Sequence, residues 1–583
     1  MQGSMSSPQS FARASPAPKK LVIKGFKVKP KVSDTFVQDS LAQLERAVTS
    51  IHSIESVTDS LEELYKACEH LCIHNQGSVV YEMLLKVCSV RLDTIFKALK
   101  LRLCAIRKQS FENVELLKAL DAAWQSHCRS QLMIRSIFLY LDRTYVIQTQ
   151  GRKSIWDMGL DLFRSRFLES SRETDNKDGS DSFKTRTVNA ILAIMELERT
   201  GHHVSTNLLK SVLQMFLDLS IYLTALEARV LAVTESFYVS EATLMLNEIG
   251  EGSMNGSAVA SYLEHVERRI GEERLRCGAA TGYLNAATRK GLVKIVEKIL
   301  IEKHISLLLQ RGFDNLIQDD KATDLGRMYS LFSKTSNGLT EMRKYFGDYI
   351  GKIGLSIVND VARDPTMVTD LLVFKVKMEG LATGAFMANK EFSQAIRDAF
   401  EKFINKRHNK PAELIAKHVD ALMKTGKGAS SDSETEDILD QCLALFRFIH
   451  GKDVFEAFYK KDLAKRLLLG KSSSVDSEKS MLSKLKTECG AGFTSKLENM
   501  FKDIETSKDI VTSFRQSARL MEKLGPIDVY VNFLTSGMWP SYPVAPLTIP
   551  ADVECFMFTQ LFFIFSNSKT SWKGVKKFTK IST

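Results

Sequence analysis

Proline is missing from the long interior of this chain of 583 residues: none stands between Pro30 and Pro365, and five of the eleven crowd into residues 526–550. A turn-rich or β-rich chain needs proline, whereas a helix interior loses ~3 kcal/mol per proline. The gap therefore predicts long helices. The nine cysteines are scattered and form no CxxC pair, which argues against a disulfide framework and suits a reducing compartment. No apolar run approaches the ~18 residues of a membrane span, and residues 1–20 lack the apolar core of a secretory signal. The expectation is a soluble intracellular protein that contacts no membrane.

Catalytic spacing is missing too. No Ser/His/Asp or Cys/His arrangement stands out, and the acidic residues are spread over helix faces. CEHLCIH puts Cys68 and Cys72, and His70 and His74, one turn apart. On one helix those two pairs diverge by about 200°, so they cannot close on one zinc ion. GKS at residues 470–472 has Lys465 where a phosphate loop needs glycine, and a helix where it needs a strand. GEGSMNG, from Gly250, is a glycine-rich connection. The chain is expected to be no enzyme and to carry no cofactor and no metal.

What the chain has is helix after helix. Composition is ordinary for a globular protein, with 44% hydrophobic and 26% charged residues. Residues 1–18, rich in Ser, Pro and Ala, read as disordered. Residues 19–32 alternate basic and apolar side chains and read as a basic localisation signal or as an arm whose Leu21, Val22, Ile23 and Phe26 dock on a partner. From Ser33 to about Ala399 apolar faces recur at helical spacing: Ser60 can cap a helix carrying Leu61, Leu64, Tyr65, Cys68, Leu71 and Cys72. TVNAILAIMELERTG, LLKSVLQMFLDLSIYLTALEARVL and GLVKIVEKILIEKHISLLLQRGF each carry heptad-like apolar faces with Glu and Lys between. Breaks fall at residues 170–182, 250–257 and 335–338, and residues 425–437 read as a polar loop. After Lys523, Ile527, Val529, Val531 and Phe533 alternate with polar residues or tyrosine, the grammar of a strand. The formal charge of +11 fits a solvated basic surface, acidic partners or nuclear residence.

In MIRSIFLYLDRTYV, Ile134, Ile137, Phe138 and Leu141 can face a core while Ser136, Tyr140 and Arg143 lie on another side. Such a helix is either sandwiched within its own domain or docked on a partner. In residues 451–503, Asp453 and Glu456 read as an acidic capping box. Phe455, Phe458, Tyr459, Leu463 and Leu467 form one buried stripe, Lys460, Lys461, Lys465 and Arg466 fall mostly outside it, and Gly470 ends the helix.

Residues 451–503, and FINKRHNKPAELIAKHVD before them, closely resemble the signature region of the cullins, the elongated scaffolds of RING-type ubiquitin ligases. The KKLVIKGFKVKP arm and MIRSIFLYLDRTYVIQ are most similar to the cullin-four class, and the resemblance runs from about Lys19 to about Asp552. It implies a mainly α fold: an elongated solenoid of three five-helix cullin repeats, then a helical bundle and the start of an α/β cullin-homology domain. The implied divisions are a tail and arm (1–32), three repeats (33–152, 153–290 and 291–402), a four-helix bundle (403–522) and an incomplete α/β domain with a divergent tail (523–583).

The implied function is scaffolding within a cullin-RING ubiquitin ligase in ubiquitin-dependent protein degradation, in the nucleus and cytoplasm. A β-propeller adaptor of the damaged-DNA-binding type would sit on the arm and on Glu62, Tyr65, Glu69, Ser136, Tyr140 and Arg143. A small RING-box protein would be held near Val529, Val531, Phe533 and Trp539, substrate receptors would be engaged indirectly, and no direct nucleic-acid contact is expected. From about Val553 the match weakens, with Phe556, Phe558, Leu561, Phe562, Phe563, Ile564 and Phe565 as an apolar cluster before a basic polar tail. The rest of the α/β domain and the modifier-accepting lysine of complete cullins are not matched. The expectation is a severed scaffold that binds adaptor with impaired or absent ligase support. The rival reading is a basic helical solenoid binding nucleic acid or proteins with no ligase role.

Overall fold

The computed structural model describes residues 33–106, 112–169, 183–251, 256–278, 282–424, 432–516, 530–541 and 575–580. In chain order the α-helices are α1 (Asp34–Ser53), α2 (Leu61–Ile73), α3 (Gly77–Ile106), α4 (Glu112–Ile137), α5 (Leu139–Leu141), α6 (Ile155–Leu168), α7 (Phe183–Arg199) and α8 (Thr206–Asp218). Then come α9 (Ala228–Glu251), α10 (Gly256–Arg276), α11 (Thr288–Leu300), α12 (Ile305–Leu308), α13 (Asp314–Gln318), α14 (Ala322–Phe332), α15 (Gly338–Asn359), α16 (Met367–Thr383) and α17 (Lys390–Ile404). The last are α18 (Lys410–Met423), α19 (Asp432–Phe446), α20 (Lys452–Leu469), α21 (Val475–Cys489) and α22 (Ala491–Arg515), followed by strands β1 (Tyr530–Thr535) and β2 (Val575–Lys580). The fold is mainly α, and the chain separates into two compact units, residues 1–233 with 275–289, and residues 234–274 with 290–583.

In the first unit, local chemistry sets the helix starts. Ser60 Oγ accepts from Glu63 N at 3.2 Å, and Glu63 Oε2 accepts from Ser60 N at 3.2 Å, a complete capping box that opens α2. The apolar faces then close on one another. Leu44 and Val48 of α1, Leu64 and Cys68 of α2, Leu84 of α3, and Ile134, Phe138 and Leu141 share one core and have no exposed surface. An aromatic cluster of Phe96, Trp124, Phe163 and Phe183 packs edge to face beside it.

In the second unit, α15 lies so close to α17 that a Cβ on Gly354 would come within 2.3 Å of the Phe403 ring. Only glycine fits there. Helices α18 to α22 pack as a bundle around Phe455, Tyr459, Leu463, Met481, Leu485, Leu497 and Met500. Pro411 stands in the first turn of α18, where its missing N–H costs nothing.

Several expectations change on contact with the structure. The two long heptad-like stretches are broken. Helix α8 ends before Ser220, whose φ is 55°, and a π-turn at Tyr222–Glu227 precedes α9. After α11 the chain passes through a 3-10 turn at Glu302–His304, α12, a π-turn at Leu309–Phe313 and α13. Ile299, Leu300 and Ile301 are buried in succession, as are Leu308 and Leu309. Consecutive buried residues cannot share one face of a regular helix, so the backbone re-aims.

The acidic capping box at Asp453 and Glu456 does not form: Gly451 is the N-cap of α20 and no side chain caps it. Residues 425–431 of the polar loop lie outside the described residues, and from Asp432 the run is already helical. Acidic residues suit that helix start. The break at 335–338 is present as a turn before α15, which starts at Gly338; that at 170–182 lies outside the described residues, as do residues 252–255 of the break at 250–257. The basic tail contributes β2, which pairs antiparallel with β1 from Tyr530↔Lys580 to Thr535↔Val575. Among the described residues no helix is long and apolar enough to cross a membrane.

Candidate protein-docking surfaces

The first candidate surface lies on the first unit, where α2 meets the end of α4 and α5. The segment read as one apolar helix has Phe138 as a turn residue and widens into a π-turn at Asp142–Val146. Helical bonds still run through it, from Phe138 N to Ile134 O at 3.0 Å and from Asp142 N to Phe138 O at 3.1 Å. Ile134, Ile137, Phe138 and Leu141 are buried. That leaves Ser136 and Arg143 exposed and Tyr140 half-buried. On α2, Glu62 is exposed while Tyr65 and Glu69 are half-buried.

Two of these residues meet directly. The Tyr65 and Tyr140 rings stand edge to face, 6.4 Å between centroids and at 89°. Glu62 pairs instead with Lys66 at 2.7 Å, and that neighbour holds its carboxyl below the ordinary range. Ser136 Oγ and Thr144 Oγ1 donate to backbone carbonyls one turn back, those of Met133 and Tyr140, each at 2.7 Å. The hydroxyls are thus partly committed to their own helix. Leu21, Val22, Ile23 and Phe26 lie outside the described residues.

The second candidate surface surrounds β1 in the second unit. Asp503 of α22 anchors it with three bonds: it accepts from Thr535 N at 2.7 Å, Thr535 Oγ1 at 2.7 Å and Trp539 Nε1 at 2.8 Å. One turn on, Ser507 Oγ accepts from Phe533 N at 2.8 Å and donates to the Asp503 carbonyl at 2.6 Å. Phe533 and Trp539 are buried, 7% and 9% exposed. The Trp539 side chain, through Asp503, and the Phe533 backbone, through Ser507, therefore seat β1 on α22. Val531 lies within β1, and Val529 lies outside the described residues.

Sequence reasoning missed a buried ionic junction elsewhere in the same unit. Arg466, read as part of a basic outer face, has a side chain with no exposed surface. Its Nε donates to Glu478 Oε1 at 2.7 Å, its Nη2 to Glu478 Oε2 at 3.0 Å and its Nη1 to Asp420 Oδ1 at 2.5 Å. Ser472 Oγ adds a bond to Glu478 Oε1 at 2.8 Å, and Lys424 pairs with the other oxygen of Asp420. Gly470, at φ 62°, stops α20, and Ser473 N donates to Met423 O at 2.9 Å. Three helices, α18, α20 and α21, are locked at one point, and the GKS loop is part of the lock. The signal was present: Arg466 is three residues beyond Leu463, on the buried stripe. Among the described residues no three His, Cys, Asp or Glu side chains gather as a metal site.

Comparison with known proteins decides the family. Residues 41–511 match the cullin family, described as the Cullin alpha solenoid domain. The chain belongs to the cullins. It is 43% identical to human Cullin-4A over 558 residues, 96% of this chain and 70% of that protein. It is 37% identical to Dictyostelium discoideum Cullin-4, over 97% of this chain and 67% of that protein. Against Dictyostelium discoideum Cullin-3 the identity is 35%, over 88% and 64% respectively. The expected family and mainly α solenoid class therefore stand.

Proposed function

We propose that this cullin is a non-catalytic scaffold of a RING-type ubiquitin ligase that docks a β-propeller adaptor on the α2–α5 surface. The observation that carries the reading is the Tyr65–Tyr140 pair, a fixed aromatic platform between exposed Glu62, Ser136 and Arg143. Tyr and Arg are the side chains that dominate interface energetics, and rings already held in place lose little entropy on binding. Leu21, Val22, Ile23 and Phe26 would extend the grip, with Glu69 at its edge.

A small RING-box protein would engage the β1 region. Here Phe533 and Trp539 act by seating β1 on α22, Val531 belongs to the strand itself, and Val529 would adjoin it as part of the contact. Substrate receptors are reached through the adaptor, in the nucleus and cytoplasm. The scaffold's contribution is to hold substrate and activated modifier near one another, which raises effective concentration without any chemistry of its own.

The test is co-purification of the chain with purified adaptor and purified RING-box protein, separately and together. Adaptor binding that Tyr140→Ala abolishes supports the reading. Retention of the adaptor by a Tyr65→Ala/Tyr140→Ala/Arg143→Ala variant removes the α2–α5 surface from it.

A further inference from the structure

Strand β1 is closed along both edges, and the two closures differ in kind. Successive residues of a strand turn their N–H and C=O groups to opposite edges. Phe533 N donates to Ser507 Oγ at 2.8 Å, and the same hydroxyl lies 3.3 Å from Phe533 O. Two residues on, Thr535 N donates to Asp503 Oδ2 at 2.7 Å. The edge served by the odd-numbered residues is therefore spent on side chains of α22. The other edge faces β2, where the register sets Asn532 opposite Phe578 and Leu534 opposite Lys576. In an antiparallel ladder these are the pairs that exchange both backbone bonds, and Phe533↔Lys577 between them exchanges none.

The α22 closure is backed by packing, since Phe533, Leu534 and Trp539 are buried. The β2 closure has less behind it. The register sets Lys580, Lys577 and Lys576 opposite Tyr530, Phe533 and Leu534, and β1 contains no acidic residue, so the ladder holds no opposite-charge pair. A two-stranded pairing by itself is marginal in water. What favours β2 is its tether: it belongs to the same chain, so its effective concentration at β1 is high. Three lysines in six residues also discourage a further strand from adding beyond β2. Access to the β1 ladder thus runs through the place that β2 holds.

We propose that β2 is a displaceable internal plug, which keeps shut the edge of β1 onto which an extended segment of a partner protein adds as a strand. Strand addition draws its affinity from main-chain bonds. The plug already makes those bonds, so the incoming segment gains only the difference between two similar ladders. Its apparent affinity falls by the fraction of time the edge stands open. The plug is argued from β1, β2 and α22 alone; taking the partner to be the RING-box protein rests on the proposed function above.

The experiment uses the full chain and two probes, a fluorescent peptide of residues 573–582, which is an untethered copy of β2, and purified RING-box protein. Two proline variants one residue apart are compared. Phe578→Pro removes an N–H that the ladder uses, whereas Lys577→Pro removes one that points away from β1 and serves as the control. A chain lacking residues 575–580 is measured beside them. The expected result is that Phe578→Pro and the deletion bind each probe about ten-fold more tightly than the unaltered chain or Lys577→Pro, as for an edge open about a tenth of the time. Deuterium exchange should accelerate at the Asn532 and Leu534 amides in those two chains, while the Phe533 and Thr535 amides stay protected on α22. Peptide affinity equal in the unaltered and deleted chains overturns the plug, as does unchanged exchange at Asn532 and Leu534 in the deletion. A gain for the peptide with no RING-box binding by any chain leaves the plug standing and removes the RING-box protein from β1.

Discussion

Arg466 and Glu478 face each other with no exposed surface on either side chain, joined by two parallel bonds of 2.7 and 3.0 Å. A planar guanidinium matches a carboxylate in this geometry as a lysine cannot. Burial alone would lower the affinity of Arg466 for its proton, but the carboxylates of Glu478 and Asp420 and the Tyr459 ring drive it the other way, so it stays charged. Tyr459 stacks against Phe455 one turn earlier, so the ionic junction sits directly on the aromatic core of α20.

Removing one partner strands the others. Arg466→Ala is expected to cost about 3–5 kcal/mol, because Glu478 is left buried without a counter-charge and Asp420 keeps only Lys424. Arg466→Lys is expected to recover only part of that. Hydrogen exchange along α18, α20 and α21 is the measurement: protection falls in all three helices together if the junction locks them.

The first unit should lose stability in mild acid. His52 and His127 are buried, and burial lowers both to about 4 from an ordinary value near 6.5. For His52 the charges of Arg91 and His127 act in the same direction, whereas at His127 the Gly159 carbonyl opposes it slightly. The unfolded chain therefore binds more protons between those values. The stabilisation is complete above about pH 6.5 and is lost as pH falls toward 4, by roughly 3 kcal/mol per histidine. Unfolding midpoints at pH 7.5 and pH 5 should differ accordingly, and His127→Gln should flatten the dependence.

Asp503→Ala should release β1 from α22. It leaves three donors, Thr535 N, Thr535 Oγ1 and Trp539 Nε1, without their acceptor. Thr535 is exposed and its donors turn to water, but Nε1 of the buried Trp539 is left unsatisfied, at a cost of about 1–3 kcal/mol. The readout is a red shift in tryptophan emission that is absent when Trp539→Phe is combined with Asp503→Ala.

On the α2–α5 surface the effects should be uneven. Tyr140→Ala removes a packed ring and its edge-to-face partner contact, and is expected to weaken adaptor binding by about 2 kcal/mol or more. Glu62→Ala should change little, because Glu62 is 77% exposed and engaged with Lys66. Titration calorimetry with the purified adaptor distinguishes the two.

Much of the fold was legible because its signals are local. The Ser60–Glu63 cap, the alternation around Phe533 and the four core residues from Ile134 to Leu141 each follow from spacing alone. Where reasoning failed, the deciding partner was distant. Charge suggested that Arg466 faces water, but Asp420 and Glu478 come from other helices and satisfy it inside. Asp453 and Glu456 have capping chemistry, yet the chain enters α20 through Gly451 without using it. The Tyr65–Tyr140 contact was not readable as a distance, although both residues stood out as surface candidates. Trp539 was singled out, but its bond to Asp503 spans elements that no periodicity connects.

The aromatic platform has a consequence for biosynthesis. Its two rings come from α2 and from α5, with all of α3 and α4 threaded between them. A ribosome that has released only α2 has made half an epitope. A partner that must touch both rings thus inspects the chain between them, and captures only copies whose first helices have already found one another.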